Sequence, residues 1–88
     1  MYKLLISKQV LKFIKSRSGK ERQIIKEKFE HLTIDPFSSP NLDTKKLKAN
    51  NDLYRLRIGK YRFIYEIREK QLIILIMTAG SRGNVYKK

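Results

Sequence analysis

The sequence predicts an α+β domain in which two helices precede a small, twisted antiparallel sheet. Apolar residues recur at helical spacing between residues 10 and 32, whereas residues 53–65 alternate between apolar and polar side chains. Residues 72–77 are apolar throughout, which is typical of a strand buried on both faces. Because 88 residues with 41% hydrophobic side chains can form one core, we expect residues 1–88 to fold as a single domain.

The N-terminal third is predicted to contain a short strand over residues 2–6 and then an αα-hairpin. Ser7 can cap the first helix, and the segment Ser18–Glu21 matches a capping box that opens the second. The apolar stripes of the two helices are formed by Val10, Leu11, Phe13 and Ile14, and by Ile25, Phe29 and Leu32. The second helix is expected to end at Asp35, because Pro36 follows it.

A β-hairpin is predicted after an ordered loop that spans residues 35–44 and holds both prolines. Residues 53–58 and 61–65 each alternate in polarity, and only Gly59 and Lys60 lie between them. Glycine at the first central position favours a type II′ turn, because that position needs a positive φ. A two-residue turn also determines which residues face each other across the two strands.

In this register the hairpin has two faces of opposite character. The aromatic and aliphatic face, which the helices are expected to cover, carries Tyr54, Leu56, Ile58, Tyr61, Phe63 and Tyr65. On the other face Arg57 lies opposite Arg62, with Arg55 beside them. Like charges that face each other across strands are destabilising, and arginine suits bidentate contacts with phosphate. The pattern therefore favours a phosphate-binding face, and a basic face that only contacts solvent is the alternative.

The net charge of +13 indicates an anionic partner, and most of the excess lies in residues 45–88. Nucleic acid is the favoured partner, and an acidic protein is the alternative partner. A charge-rich surface of the kind found in heat-adapted proteins is another explanation of the many charges. The absence of cysteine excludes disulfides and thiolate metal sites, and His31 is the single histidine. The longest apolar run is far shorter than the roughly 20 residues of a membrane span, so we expect a cytoplasmic protein.

The side chains available for chemistry in the basic half are arginine, lysine and tyrosine. These residues can promote RNA cleavage without a metal or cofactor, since the 2′-hydroxyl of the substrate is itself the nucleophile. A protein accelerates this attack by holding the nucleotide in line and by stabilising the charge that develops on the phosphate oxygens. Nearby cations would also lower the pKa of a tyrosine from its usual value of about 10.

Three segments give the chain a resemblance to a known family. They are residues 46–48 (KLK), residues 53–65 (LYRLRIGKYRFIY) and residues 80–86 (GSRGNVY). In this order and spacing they resemble the RelE toxins of the RelE/ParE superfamily, and the helical hairpin in front of them also fits. The resemblance covers essentially the whole chain and implies a small antiparallel sheet with an αα-hairpin packed on one face.

RelE toxins cut mRNA in the ribosomal A site and are held inactive by an antitoxin. The resemblance therefore implies three partners, namely a RelB-like acidic antitoxin, the ribosome and mRNA, and it implies no cofactor. It assigns catalytic roles to Arg55, Arg57, Arg62, Arg82 and Tyr86, and RNA binding to Lys46, Lys48 and Lys60. Arg62 and Arg82 would stabilise the phosphate and leaving group, and Tyr86 would orient or deprotonate the 2′-hydroxyl or stack on a base.

Two features depart from the family pattern. Ser81 stands where several relatives carry histidine, and Arg55 and Arg57 stand where some carry lysine. Arginine does not readily release a proton, so the resemblance implies electrostatic stabilisation for these two residues. Two other functions stay open: a ParE-like toxin that binds DNA gyrase without catalysis, and a basic ribosome- or RNA-binding module.

Overall fold

Two helices and five strands make up the part of the chain that the computed structural model describes, residues 1–37, 39–47 and 52–81. In chain order they are β1 (Lys3–Ile6), α1 (Lys8–Lys15), α2 (Gly19–Ile34), β2 (Asp43–Lys46), β3 (Leu53–Ile58), β4 (Tyr61–Arg68) and β5 (Ile73–Ser81). A single 3-10 turn over Glu69–Gln71 connects β4 to β5. The helices therefore precede most of the sheet in the chain, as the apolar periodicity predicts.

The strands form one sheet in the order β1-β5-β4-β3-β2. Neighbouring strands from β2 to β5 are antiparallel, and the core unites apolar residues of both helices with one face of the sheet. The predicted α+β class with a helical hairpin on a sheet is confirmed. The sheet is mixed rather than wholly antiparallel, because β1 pairs parallel to β5. Parallel neighbours need a long connection, and residues 7–72 supply it here.

Both helices begin at the predicted caps. The Ser7 hydroxyl accepts a hydrogen bond from the backbone N–H of Val10 at 3.3 Å, and the Ser18 hydroxyl accepts one from Glu21 at 3.2 Å. The Glu21 carboxylate is used differently from a capping box, since it accepts a hydrogen bond from the Tyr61 hydroxyl at 3.0 Å. This contact ties the first turn of α2 to the start of β4. The helix ends at Ile34, directly before Asp35, as predicted.

Arg17 reinforces the connection between the helical hairpin and the sheet. Its guanidinium carbon lies 4.6 Å from the ring centroid of Phe13 and 5.1 Å from that of Tyr61. Arg17 Nη1 also donates a hydrogen bond to the Tyr61 hydroxyl at 2.8 Å. Because Tyr61 is the first residue of β4, these contacts hold the strand at the point where it leaves the turn.

The hairpin of β3 and β4 has the predicted register, with Arg57 opposite Arg62 and Arg55 opposite Ile64. Gly59 has φ of 58°, and Lys60 has no positive φ, as a type II′ turn requires. The face that packs on the helices contains the fully buried residues Leu56, Phe63 and Tyr65. The predicted division of the hairpin into a core face and an arginine-bearing face is therefore confirmed.

The predicted loop over residues 35–44 ends earlier than expected. Asp43–Lys46 forms β2, an edge strand that pairs antiparallel with β3. All four residues are polar and none is fully buried, so neither alternation nor apolar content indicates a strand. The strand exists because β3 offers it a backbone hydrogen-bonding edge.

Tyr65 makes the stability of the folded state depend on pH in the alkaline range. Its side chain is fully buried, and its hydroxyl donates a hydrogen bond to the Pro36 carbonyl at 2.8 Å. Burial raises the pKa of Tyr65 well above its usual value, with a smaller contribution from the nearby Tyr54. The unfolded chain therefore releases this proton first, once the pH passes about 10, and the folded state loses stability from there upward.

A Tyr65→Phe variant tests this dependence. At pH 8 the variant should be less stable than the parent by about 1–3 kcal/mol, because the Pro36 carbonyl loses its donor. The parent's advantage should shrink between pH 8 and pH 11, because only the parent has a proton to release at this position. Urea unfolding at both pH values measures the difference in free energy. An advantage that stays constant up to pH 11 would contradict the assignment.

Candidate functional site

The face of the sheet that lies away from the helices carries a group of arginines, which we call the arginine face: Arg55, Arg57 and Arg62 with their cross-strand neighbours. Strand pairing arranges these residues in two adjacent rows. The first row is Asp43, Arg57, Arg62 and Gly80, and the second is Lys45, Arg55, Ile64 and Thr78. Three of the five predicted catalytic residues thus come together on one surface.

An acidic residue that the sequence analysis does not single out lies among these arginines. Asp43 Oδ1 accepts a hydrogen bond from Arg55 Nη2 at 3.0 Å, and Asp43 Oδ2 accepts one from Arg57 Nε at 2.9 Å. Both contacts are also ion pairs. Asp43 falls in the predicted loop. Its position shortly before a basic stretch is the sequence feature that could have indicated its role.

The arginine face holds buried donors without acceptors. Within residues 1–37, 39–47 and 52–81, the side-chain nitrogen and oxygen atoms that are buried without a hydrogen-bond partner are Arg55 Nε, Arg62 Nε and Thr78 Oγ1. All three belong to the two rows defined above. A buried polar group without a partner costs free energy, and such groups in a folded protein often belong to functional sites.

Two predicted RNA-binding lysines do not lie on the arginine face. Lys46 is opposite Tyr54 on the side of the sheet that faces the helices, and its Nζ is 6.0 Å from the Tyr54 ring centroid. Lys60 lies in the hairpin turn with Nζ 5.7 Å from the Tyr61 ring centroid. The lysine that shares a row with Arg55 is Lys45. The register of β2 against β3 places Lys46 on the face opposite to that of Lys45.

The remaining predicted site residues, Lys48, Arg82 and Tyr86, lie outside the described residues, and their roles stay predictions. The strand that leads to Arg82 is described as far as Ser81. Its last residues pair with the start of β4, with Gly80 opposite Arg62. The described chain therefore ends directly beside the arginine face.

The end of β5 is held in place by α1. Gln9 Nε2 donates a hydrogen bond to the Ala79 carbonyl at 3.0 Å, and the Ala79 N–H donates one to Gln9 Oε1 at 2.9 Å. The Ser7 hydroxyl donates to the carbonyl of Met77 at 2.8 Å. Met77 is the extra residue of a bulge, since Tyr65 faces Ile76 and Ile64 faces Thr78. A bulge bends its strand, and these contacts fix the direction in which β5 continues.

Carboxylates are scarce on this side of the sheet. Besides Asp43, the described part of β4 contributes Glu66, which pairs with Arg68 at 3.2 Å. Across the described residues, no three His, Asp or Glu side chains form a group that could hold a metal ion. The same residues contain no helix that is both long and apolar enough to span a membrane.

Comparison with known proteins defines the class to which this fold and site belong. The family model described as the ParE toxin of type II toxin–antitoxin systems matches residues 7–86. The chain belongs to this family of type II toxins, within the RelE/ParE superfamily that its motifs resemble.

Several similar proteins carry the name RelE. A protein of Methanocaldococcus jannaschii named for the toxin RelE1 is 35% identical over 82 residues, which are 93% of this chain and 91% of the relative. The RelE–RelB complex of Pyrococcus horikoshii contains a chain that is 33% identical, with a TM-score of 0.84 over 93% of this chain and 96% of that one. The RelB–RelE complex of Methanococcus jannaschii gives 27% identity and a TM-score of 0.72 over 94% and 95% of the two chains.

Proposed function

We propose that this toxin is a metal-independent endoribonuclease that cleaves mRNA in the ribosomal A site and thereby inhibits translation. The observation that carries the proposal is the arginine face. It brings Arg55, Arg57 and Arg62 together in two neighbouring rows, and two of these arginines have buried Nε groups without acceptors among the described residues. A phosphate group of RNA would add negative charge to a surface that has one carboxylate, Asp43, among three arginines, and it would accept hydrogen bonds from N–H groups that Asp43 does not engage.

The proposed reaction uses a nucleophile that belongs to the substrate. The 2′-oxygen attacks the adjacent phosphorus, and the bond from phosphorus to the 5′-oxygen of the next nucleotide breaks. The products end in a 2′,3′-cyclic phosphate and a 5′-hydroxyl. Negative charge builds up on the phosphate oxygens during the attack, and preorganised cations stabilise it most where water is excluded.

The arginines divide this work according to their places on the face. Arg62 lies between Arg57 and Gly80 in the first row, and we assign it to the phosphate oxygens. Arg55 and Arg57 hold the RNA backbone in line for attack. Arg82 would stabilise the leaving group, and Tyr86 would accept the proton of the 2′-hydroxyl or stack on a base. Lys48 would contact the backbone nearby.

The net charge of +13 fits a toxin that acts on ribosomes in the cytoplasm and is silenced by an acidic, RelB-like antitoxin. The relatives from Pyrococcus horikoshii and Methanococcus jannaschii were both solved as complexes of RelE with RelB. An antitoxin that covers the arginine face would place acidic side chains next to basic side chains that have few counter-ions in the free toxin. It would also exclude RNA from the same surface.

A second function is favoured by one specific observation. The matching family model is named for ParE rather than for RelE, and a ParE-like toxin would bind DNA gyrase without catalysis. The arginine face argues for the nuclease, because a protein that binds a protein target does not need three neighbouring arginines of which two have buried Nε groups without acceptors. A non-catalytic RNA-binding module would use the same basic surface and differ in yielding no new RNA ends.

The test is to add the purified toxin to ribosomes that translate a defined mRNA and to map new RNA ends by primer extension. We expect new ends within the A-site codon, and we expect the cognate antitoxin to abolish them. A DNA supercoiling assay with gyrase runs in parallel and should show no inhibition. Gyrase inhibition without new RNA ends would instead establish the ParE-like function. Ribosome binding with neither effect would establish a binding module.

A further inference from the structure

Asp43 lies on the edge strand β2, at the end of the first row of the proposed site, where it contacts two of the arginines. Its two carboxylate oxygens contact different arginines, Arg55 at 3.0 Å and Arg57 at 2.9 Å. The side chain of Arg55 is only 15% exposed, whereas those of Arg57 and Asp43 are 48% and 47% exposed. One carboxylate therefore connects a largely buried arginine to an exposed one.

The contacts with Asp43 leave donors of both arginines unused, and those of the half-exposed Arg57 are open to a second anion. Each guanidinium has five N–H donors, and Asp43 accepts one hydrogen bond from each. Arg57 is held through its Nε, so its two Nη groups stay available for an acceptor from outside. Asp43 thus restricts the orientation of the arginines without occupying all their donors.

The arginine face needs a carboxylate such as that of Asp43 for electrostatic reasons. Arg57 and Arg62 face each other directly across β3 and β4, and Lys45 faces Arg55 from β2. Cations opposed in this way repel, and a largely buried charge such as that of Arg55 is costly without a counter-ion. Without Asp43, the arginine side chains would lower their repulsion by turning apart into solvent.

We propose that Asp43 is a positioning residue that holds Arg55 and Arg57 in the orientation that receives the scissile phosphate, and that its charge limits how tightly the face binds RNA. The part of this inference that concerns cleavage rests on the proposed nuclease function. The part that concerns RNA affinity does not. The two parts predict opposite effects of removing the carboxylate, which a merely structural ion pair would not produce.

The test variant is Asp43→Asn, which removes the charge and nearly preserves the shape. Affinity for a short single-stranded RNA should rise by about fivefold. This is the effect of removing the repulsion between the carboxylate charge and one phosphate charge at about 4 Å in water. The dependence of log affinity on log salt concentration should become steeper by about 0.7, the value for one additional phosphate contact on single strands. On translating ribosomes kcat should fall about tenfold or more, because the arginines are no longer held in line.

A matched control is available in β4, on the same face of the sheet as Asp43. Glu66→Gln makes the same change of charge in the ion pair of Glu66 with Arg68, away from the two arginine rows. It should leave kcat within about twofold of the parent, because an exposed ion pair contributes little to stability and Glu66 pairs with Arg68 rather than with the three arginines. The variant Asp43→Glu restores the charge, so it should return the RNA affinity and the salt slope to the parent values and recover part of kcat.

The outcomes separate this inference from the proposed function. Parent protein that binds RNA but never cleaves it would refute the nuclease, and the affinity and salt slope of Asp43→Asn would still decide the role of the charge. Asp43→Asn with unchanged affinity, slope and kcat would refute the inference as a whole. Tighter binding with undiminished kcat would refute the positioning role. Should Asp43→Asn unfold at the assay temperature, Asp43→Ser takes its place in both assays.

Discussion

Replacing Arg62 with alanine is expected to lower the rate of mRNA cleavage on ribosomes by about 100-fold or more, the usual effect of removing a preorganised charge donor from an active site. The side chain lies in the first row of the arginine face, directly opposite Arg57. Because Arg62 is proposed to contact the phosphate most strongly when its charge develops, kcat should fall more than KM rises. Single-turnover cleavage of ribosome-bound mRNA measures the rate.

The loss should not be a consequence of unfolding. Arg62 Nε is buried without an acceptor among the described residues, and a like charge faces the side chain, so removing it should leave the folded state at least as stable as the parent. Arg68→Ala is the matched control, since Arg68 lies on the same strand and face but is 47% exposed and pairs with Glu66. Cleavage by Arg62→Ala as fast as by Arg68→Ala would refute the assignment.

Replacing Phe63 with alanine is expected to lower the free energy of unfolding by about 3–5 kcal/mol, the usual cost of removing a large aromatic side chain from a core. Phe63 is fully buried at the centre of the face that packs on the helices. Its ring centroid lies 5.9 Å from that of Phe13 in α1 and 5.2 Å from that of Phe29 in α2, both in edge-to-face geometry. One side chain thus links both helices to the sheet.

Urea unfolding followed by circular dichroism measures this change. The total stability of a small domain is about 5–15 kcal/mol, so Phe63→Ala should unfold at a much lower denaturant concentration than the parent. Phe37→Ala serves as the control, because Phe37 is 41% exposed and its ring contacts are with the partly buried Tyr2 and Tyr54, so it should cost clearly less than Phe63→Ala. Equal losses in the two variants would contradict the central place of Phe63 in the core.

The local elements of this fold could be predicted from the sequence because their causes are local. Ser7 and Ser18 cap the two helices through hydrogen bonds to residues three positions later. The register of β3 and β4 follows from the two-residue turn and from alternation, so the meeting of Arg57 with Arg62 was predictable. In each case residues a few positions apart contain the information.

Elements that depend on distant pairing could not be predicted in this way. β1 pairs parallel to β5, and no local pattern indicates the direction of a strand that joins a sheet about 70 residues away in the chain. Likewise, β2 contains four polar residues that resemble a loop until β3 provides a partner. The contacts of Gln9 with Ala79 and of Tyr65 with Pro36 belong to the same group.

The residues of the candidate site also fall into those that the sequence predicts and those that only distant strand pairing brings together. The sequence by itself determined that one face of the hairpin carries three arginines, and its motifs indicated the toxin family. Only the tertiary structure decided that Asp43 and Lys45, rather than Lys46, join those arginines. A shift of one residue in the register of β2 against β3 would exchange the faces of these side chains. That register results from hydrogen bonds between two strands, so it is a property of the folded sheet rather than of either segment.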